Sequence, residues 1–212
     1  MNNEELQTIA QSVGKNYNYP NVEAKFVETR EFKITWQRSY QWISMQISDY
    51  MQNASAEVIE ELLNTTFGKI LGRDSKYGPL TVDFIESPAF VKANQPVYLR
   101  RARASYDGRV LASYNRLKAE GLVEDRDDLA FSSKVITLDV PGTSSMTMKT
   151  VTVNADLVDM APEDVLDLVV LILTRNACRR MGSEKVPTKM LAMGLENAEE
   201  RFERLHALGF FF

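Results

Sequence analysis

Strong ligands for a transition metal are scarce in this chain, which has one histidine, His206, and one cysteine, Cys178. A structural zinc site takes four Cys or His ligands, and a catalytic zinc takes about three from His, Cys, Asp or Glu. The sequence therefore excludes most zinc chemistry, and we expect no bound metal and no cofactor. A single cysteine also excludes disulfide frameworks and is typical of a reducing compartment, so we expect a cytoplasmic protein. We expect Cys178 to be a buried structural thiol rather than a reactive one.

Carboxylates are the other residues that could do chemistry. Asp156, Asp159 and Asp164 lie close together in the sequence and could hold Mg²⁺ or Mn²⁺ in a hydrolase if their side chains converge. The acidic turn 124–128 could also hold a hard cation, but it lacks the Gly and the terminal Glu of an EF-hand loop, which favours a solvated loop. A general base needs a nucleophile and an orienting partner. His206 has neither nearby in the sequence, so an exposed helical histidine is the simpler interpretation.

A basic patch of Arg100, Arg101 and Arg103 could bind an anion. Tyr98 and Tyr106 flank the patch and could stack on the bases of a single-stranded nucleic acid. The net charge of −4 opposes that function, because an acidic protein repels the phosphate backbone. Three arginines in one short segment more often serve a solvated face or internal ion pairs.

Two β regions and several helices must position these residues. Apolar residues alternate with polar ones over 31–36 and again over 43–47, which predicts a hairpin with one face on a core. A second β region is predicted over 129–154, where β-branched residues are frequent. Helical patterns separate and follow these regions, so the expected class is α+β. No internal repeat is visible in the sequence.

The most apolar segment is a predicted helix over about 162–181. Its first half, 165–173, leaves almost no polar face. A helix without a polar face is buried on nearly all sides, so we expect it at the centre of the fold. Around this helix we expect a single domain at 21–212, preceded by an N-terminal helix or arm at 1–20.

The block 151–170 resembles the core of the YgjP-like and SprT-like zinc metallopeptidases. In that family a strand ending in Asn is followed by a short loop, a Pro-led segment and a helix of the form VLDYVVxHELxH. Here VTVN at 151–154 resembles the strand, and PEDVLDLVV at 162–170 resembles the start of the helix. Upstream, WQRSYQWISMQISDYM, SPAF and PVYLRRAR are similar to archaeal members, so the likeness extends over about 22–205. The resemblance implies a zincin-like α+β fold, with small β regions packed on the central helix.

The resemblance fails at the residues that carry the chemistry. The first zinc-binding His falls on Ile172, the general-base Glu on Leu173, and the second His on Asn176. The two aliphatic side chains have no lone pair for a metal, and a leucine cannot accept a proton from metal-bound water. The resemblance therefore implies the fold of a metallopeptidase homologue without its activity, a pseudoenzyme with no catalytic residue. An unrelated α+β arrangement is the alternative.

A domain that keeps this fold without its chemistry would act as a scaffold or protein-binding module. In the resembled fold, the cleft beside the active helix receives an extended peptide against an edge strand. We expect that peptide-binding edge to comprise seven residues of the second β region, Thr147, Met148, Lys149, Thr150, Val151, Thr152 and Val153. The expected partner is therefore a protein.

Two other functions stay open, the carboxylate-bound Mg²⁺ or Mn²⁺ hydrolase and the single-strand nucleic-acid binder. A membrane partner is not expected, because no apolar run approaches the roughly 18–20 residues that span a bilayer. The three phenylalanines at 210–212 would expose a large apolar patch if they stayed in water. Docking of this tail on its own domain is favoured over docking into a partner.

Overall fold

The computed structural model describes all 212 residues, and its class is α+β, as the sequence predicts. The chain divides into two compact units, Met1–Phe90 and Val91–Phe212. This division differs from the expected arm at 1–20 followed by a single domain at 21–212. The helix of the expected arm belongs to the first unit, because it buries one apolar face there. None of the helices has both the length and the apolar character that crossing a bilayer requires.

The first unit is built on a three-stranded sheet. Its elements are, in chain order, helix α1 (Asn3–Lys15), strands β1 (Asn21–Val27), β2 (Ile34–Arg38) and β3 (Trp42–Ser48), a 3₁₀ turn (Asp49–Met51), and helices α2 (Ala56–Ile70) and α3 (Pro79–Ile85). Strand β3 is central, with β1 parallel to it on one side and β2 antiparallel to it on the other. The predicted hairpin is confirmed as β2 and β3, although β2 begins three residues later than the alternation suggests.

The second unit is built on a four-stranded sheet. Its elements follow helix α4 (Pro88–Ala102), whose sequence runs across the boundary between the units: β4 (Ser105–Tyr106), α5 (Gly108–Ala119), β5 (Ala130–Lys134), β6 (Gly142–Ser145), β7 (Thr150–Asn154), α6 (Ala155–Met160), α7 (Glu163–Ala177), α8 (Thr188–Leu191) and α9 (Ala198–Ala207). The strand order is β4-β5-β7-β6. Strand β7 is therefore central, parallel to β5 and antiparallel to β6.

Helix α7 is the buried helix that the sequence predicts, although it ends earlier, at Ala177 with Cys178 as its cap. The ten consecutive residues 165–174 are buried, because α5, β6, β7 and α9 all pack on this helix. One of the ten is charged. The Asp167 carboxylate accepts hydrogen bonds from Ser113 Oγ at 2.5 Å and from Arg116 Nη2 at 2.8 Å. A carboxylate can be buried at this depth only with such partners.

The two units repeat one arrangement that the sequence does not reveal. In each, a helix is followed by three strands, a short helical segment (the 3₁₀ turn or α6) and a closing helix. The third strand pairs in parallel with the first and antiparallel with the second. The closing helices α2 and α7 both have 15 residues. Aligned at their first residues, they have a single identity, Val58 with Val165. The two units are therefore similar in topology but not in sequence.

Candidate functional site

The three positions where the resemblance would place zinc-site residues lie on α7, and two of them contact strand β6. Leu173 packs on Gly142, with its Cδ1 2.7 Å from the point where a Cβ on that glycine would stand. Asn176 donates from Nδ2 to the Ser144 hydroxyl at 2.9 Å. Ile172 is buried, with 3% of its surface exposed. Two of these side chains are aliphatic and the third joins α7 to β6, so they stabilise the unit.

The expected peptide-binding edge at 147–153 is wrong. Its last four residues belong to β7, which is the central strand, has β5 and β6 on its two sides and is buried throughout. Met148 and Lys149 are buried in the turn before it. Backbone groups that already pair on both sides cannot receive another strand. The sheet ends instead at β4 and β6.

The three arginines lie at the end of α4 and in the turn after it. Arg100 and Arg103 are exposed, and Arg101 is half-buried. Of the two tyrosines expected to stack on bases, Tyr106 is 73% exposed but Tyr98 is only 6% exposed. A buried ring cannot stack on a base, so one of the two expected stacking platforms is absent.

The candidate carboxylates do not converge. Asp156 and Asp159 are exposed, and Asp164 forms a salt bridge with α9. In the acidic turn, the Asp128 carboxylate accepts from Arg126 Nε at 2.8 Å and from its Nη2 at 2.6 Å. The Arg126 guanidinium lowers the pKa of that carboxyl. No three His, Cys, Asp or Glu side chains are grouped so that they could hold a metal ion.

Cys178 is half-buried and lines a cavity of about 330 Å³ in the second unit. Burial raises the pKa of its thiol, so the weakly nucleophilic protonated form prevails at neutral pH. The Arg175 guanidinium beside it donates to the carbonyl oxygens of Leu122, Leu191 and Met193. This cation is therefore occupied in joining loops to α7. The cavity holds a neutral thiol and a structural cation, and no activated nucleophile.

The sole histidine is exposed on α9 and contacts the C-terminal tail. Its imidazole stacks on the Phe211 ring, with 5.0 Å between the centroids. The Phe211 N–H donates to the Asp139 carbonyl at 2.8 Å, and Phe210 is buried. The tail thus docks on its own unit, and His206 has an aromatic neighbour rather than a nucleophile.

The sequence interpretation missed an open strand edge in the first unit. The pairing of β2 with β3 is fixed at its ends by two hydrogen bonds, Ser48 N–H to Lys33 O at 3.1 Å and Ser39 N–H to Trp42 O at 2.8 Å. Hydrogen-bonded positions alternate along an antiparallel strand. The N–H and C=O groups of Ile34, Trp36 and Arg38 therefore face away from β3, where the sheet has no further strand. We call Ile34–Arg38 the β2 edge.

The other side of the same sheet is closed by helix α1. Gln7 donates from Nε2 to the Val22 carbonyl at 2.5 Å and accepts from the Ala24 N–H at 2.7 Å. Asn3 Oδ1 accepts from the Phe26 N–H at 2.8 Å. The two side chains lie four residues apart on one face of α1, and their amides replace a neighbouring strand. Covering an edge in this way prevents unwanted pairing.

Both faces of the β2 edge are accessible. Trp36 points to the core side, opposite Met45, yet 40% of its surface is exposed. Tyr40, in the turn after β2, is 91% exposed. The opposite face has a shallow groove of about 150 Å³ with four polar side chains, Thr35, Gln37, Ser44 and Gln46. Exposed aromatic surface beside unpaired backbone groups is typical of a surface that receives another chain.

Comparisons with known proteins found no relative of this chain. No family model, curated protein or solved structure matches the chain. The function is therefore inferred from the contacts, exposure and charges of the residues themselves.

Proposed function

We propose that this chain is a non-catalytic, zincin-like module, a pseudoenzyme that binds an extended segment of another protein as an added strand on the β2 edge. One observation carries the proposal, the unequal treatment of the two sides of the first sheet. Side-chain amides of α1 cover β1, whereas the outer backbone groups of β2 have no neighbouring strand. In strand addition, main-chain hydrogen bonds supply affinity and the neighbouring side chains supply selectivity.

The expected affinity is modest. A partner strand would pair with the outer groups of Ile34, Trp36 and Arg38, and each hydrogen bond contributes about 0.5–1.5 kcal/mol net. Covering the exposed part of the Trp36 ring adds apolar burial, since aromatic residues dominate interface energies. These contributions must offset the ordering of the peptide, so we expect dissociation constants in roughly the micromolar range.

The second unit supports the pseudoenzyme part of the proposal. Its helix α7 lies against the strand β6 through Leu173 and Asn176, two of the positions at which the resembled peptidases carry catalytic residues. Ile172, at the third of these positions, is buried, and its aliphatic side chain could not bind a metal. We infer that the chain acts without metal or cofactor, in the cytoplasm, where an unpaired Cys178 is expected to stay reduced.

A displayed library of random peptides, selected on the full chain, tests the strand addition. The selected peptides are then measured against Ile34→Ala and Ile34→Pro. Both variants lose the isoleucine side chain, but only the proline variant loses the outward N–H. We expect the peptides to bind Ile34→Pro at least about fivefold more weakly than Ile34→Ala, because one ladder hydrogen bond is missing.

Amide hydrogen exchange shows where on the chain the peptide binds. Bound peptide should slow exchange at Ile34, Trp36 and Arg38 and leave the amides of β7 unchanged. Equal binding to the two Ile34 variants, or protection confined to the second unit, would contradict strand addition on β2.

Zinc content and peptidase assays test the non-catalytic part. We expect the purified chain, also after soaking in zinc and washing, to hold no stoichiometric zinc and to cleave no peptide substrate. One tightly held zinc per chain in metal analysis would contradict the pseudoenzyme assignment.

A further inference from the structure

The residues on and beside the β2 edge indicate which residue types its partner strand carries, and this inference rests on the proposed function. We infer that the strand received by the β2 edge is acidic, with an aspartate or glutamate near each end and a large apolar residue between them. Three residues on and beside the edge specify this pattern, Lys33, Trp36 and Arg38.

Two positive charges, one on the β2 edge and one just before it, are not neutralised by the chain. The Lys33 side chain is exposed and makes no ion pair. Arg38 donates from Nη1 to the Ile70 carbonyl at 2.7 Å, which is a neutral acceptor. The neighbouring Arg30 pairs with Glu31 at 3.3 Å, so these two charges cancel. The edge is thus locally basic on a chain whose net charge is −4.

The acidic residue on the same face of the sheet does not offset these cations. Glu23 lies on β1, opposite Ser44 of β3, which in turn lies opposite Gln37 of β2. Two strand spacings of about 4.8 Å each therefore separate Glu23 from β2. At that distance, between exposed side chains in salt solution, the attraction is largely screened.

The spacing of the two cations fixes the spacing of the partner's acids. Lys33 and Arg38 are five residues apart, about 17 Å along an extended strand. An odd separation places side chains on opposite faces of a strand. Lys33 shares its face with Thr35 and Gln37, and Arg38 shares its face with Trp36. The partner should therefore carry acids five residues apart, one on each face.

The exposed part of Trp36 places the apolar residue. Its ring lies three residues after Lys33 and two before Arg38, and a large aliphatic or aromatic side chain opposite it would cover the exposed surface. A parallel partner then reads acid-x-x-apolar-x-acid. An antiparallel partner reads acid-x-apolar-x-x-acid.

A second copy of this chain is the main competing occupant. Two β2 edges could pair antiparallel about Trp36, with Ile34 of one copy opposite Arg38 of the other. That arrangement would bring together two strands that each carry two unneutralised cations and no available carboxylate. In this register the cations are not directly opposite one another, but no carboxylate neutralises them, whereas an acidic strand supplies one for each. A partner of opposite charge is therefore favoured over self-association.

Short fluorescent peptides test the inference on the full chain. Two peptides carry the cores Glu-Thr-Thr-Leu-Thr-Glu and Glu-Thr-Leu-Thr-Thr-Glu, and matched versions replace both glutamates by lysine or by glutamine. We expect one acidic peptide to bind at least about tenfold more tightly than its lysine version, by anisotropy at low salt. The double variant Lys33→Glu, Arg38→Glu should reverse that preference. The control Lys25→Glu, which changes an exposed lysine on β1, should alter affinity by less than about twofold.

The outcomes separate the inference from the function on which it rests. Binding that ignores peptide charge but is weakened in Ile34→Pro would overturn the acidic partner and leave strand addition standing. Failure of every peptide here, together with a library that yields no binder, would overturn both. A dimer detected by light scattering and lost in Ile34→Pro would also overturn both, in favour of a second copy.

Discussion

The second strands of the two units meet their closing helices differently. Strand β2 donates one hydrogen bond from Arg38 to the end of α2, whereas β6 packs closely on α7 at Gly142 and accepts a hydrogen bond from Asn176. The two strands have the same register. Ile34 pairs with the penultimate residue of β3, and Gly142 pairs with the penultimate residue of β7. Trp36 and Ser144 are therefore equivalent positions. Ser144 is held by Asn176, whereas Trp36 presents an exposed ring.

The closing helices explain this difference. Aligned at their first residues, α2 has Thr66 and Lys69 where α7 has Leu173 and Asn176. The Thr66 hydroxyl donates to its own helix, at the Leu62 carbonyl, at 2.8 Å. The Lys69 ammonium lies over the Tyr77 ring, 3.9 Å from its centroid. Neither side chain bonds β2, whose hydrogen bond to α2 is donated by Arg38 to the Ile70 carbonyl, so the two corresponding strands are held by different side chains.

The largest effect should come from loosening the packed edge of the second unit. In Gly142→Ala the new Cβ would stand 2.5 Å from the Thr152 carbonyl and 2.7 Å from Leu173 Cδ1, so backbone must shift. We expect a loss of about 2 kcal/mol in the free energy of unfolding, measured in urea. Gly108→Ala, with nothing within 4 Å of the new Cβ, is the control and should change stability by less than about 0.5 kcal/mol. Equal values for the two variants would mean that β6 is not packed closely on α7.

Opening the closed side of the first sheet should have the next largest effect. The double variant Asn3→Ala, Gln7→Ala removes three hydrogen bonds to β1. We expect a loss of about 1–2 kcal/mol and faster amide exchange at Ala24 and Phe26. Thr8→Ala, which alters an exposed hydroxyl bonded only within α1, serves as the control. If the exchange rates at Ala24 and Phe26 stay unchanged, α1 does not close this edge.

Releasing β6 from α7 should lower the free energy of unfolding by a smaller amount. Asn176→Ala removes the hydrogen bond to the Ser144 hydroxyl and the one accepted from Arg179, and both partners can then turn to water. We expect a loss of about 1 kcal/mol in the free energy of unfolding. Exchange at the β6 amides should also rise. Asn115→Ala, at an exposed position of α5, should leave both measurements unchanged. A β6 that exchanges no faster in Asn176→Ala would show that the side-chain tie is not what holds the strand.

The smallest effect concerns ion pairing, which neutralises Arg126 in the second unit but not Arg38 on the β2 edge. Because Arg126 lowers the pKa of Asp128 in the folded state, this pair stabilises the protein above the unfolded pKa of about 4. The contribution is lost as the pH falls through the lowered pKa. We expect Asp128→Asn to cost less than about 1 kcal/mol at pH 7, discounted for partial exposure, and nothing in strong acid. Asp127→Asn, at the exposed neighbouring position, is the control and should cost less than about 0.5 kcal/mol at pH 7. A cost of Asp128→Asn that persists in acid would exclude the charge pair as its cause.

Local patterns in the sequence predicted the elements but not their neighbours. The alternation around 43–47 identified the hairpin, and the continuous apolar run identified the buried helix α7, because both signals depend only on nearby residues. The same reasoning misplaced the peptide-binding edge at 147–153. Alternation does not distinguish a central strand from an edge strand, and here even the polar side chains of Thr150 and Thr152 are buried.

The β2 edge and its closed counterpart depend on contacts that no local pattern records. Gln7 reaches β1 across a turn, and only the completed sheet order reveals that β2 is terminal. From the sequence alone, polar helix residues such as Asn3 and Gln7 are expected to face solvent. The division into two units was missed for a similar reason, since the repeat lies in strand pairing rather than in shared residues.

The amides of α1 also limit how copies of this chain can associate through the first sheet. A strand that docks on β2 becomes the new margin, while the far margin is already capped by Asn3 and Gln7. The β2 edge of another copy therefore cannot join β1, so copies of this chain cannot associate head to tail through this sheet into an open-ended fibre.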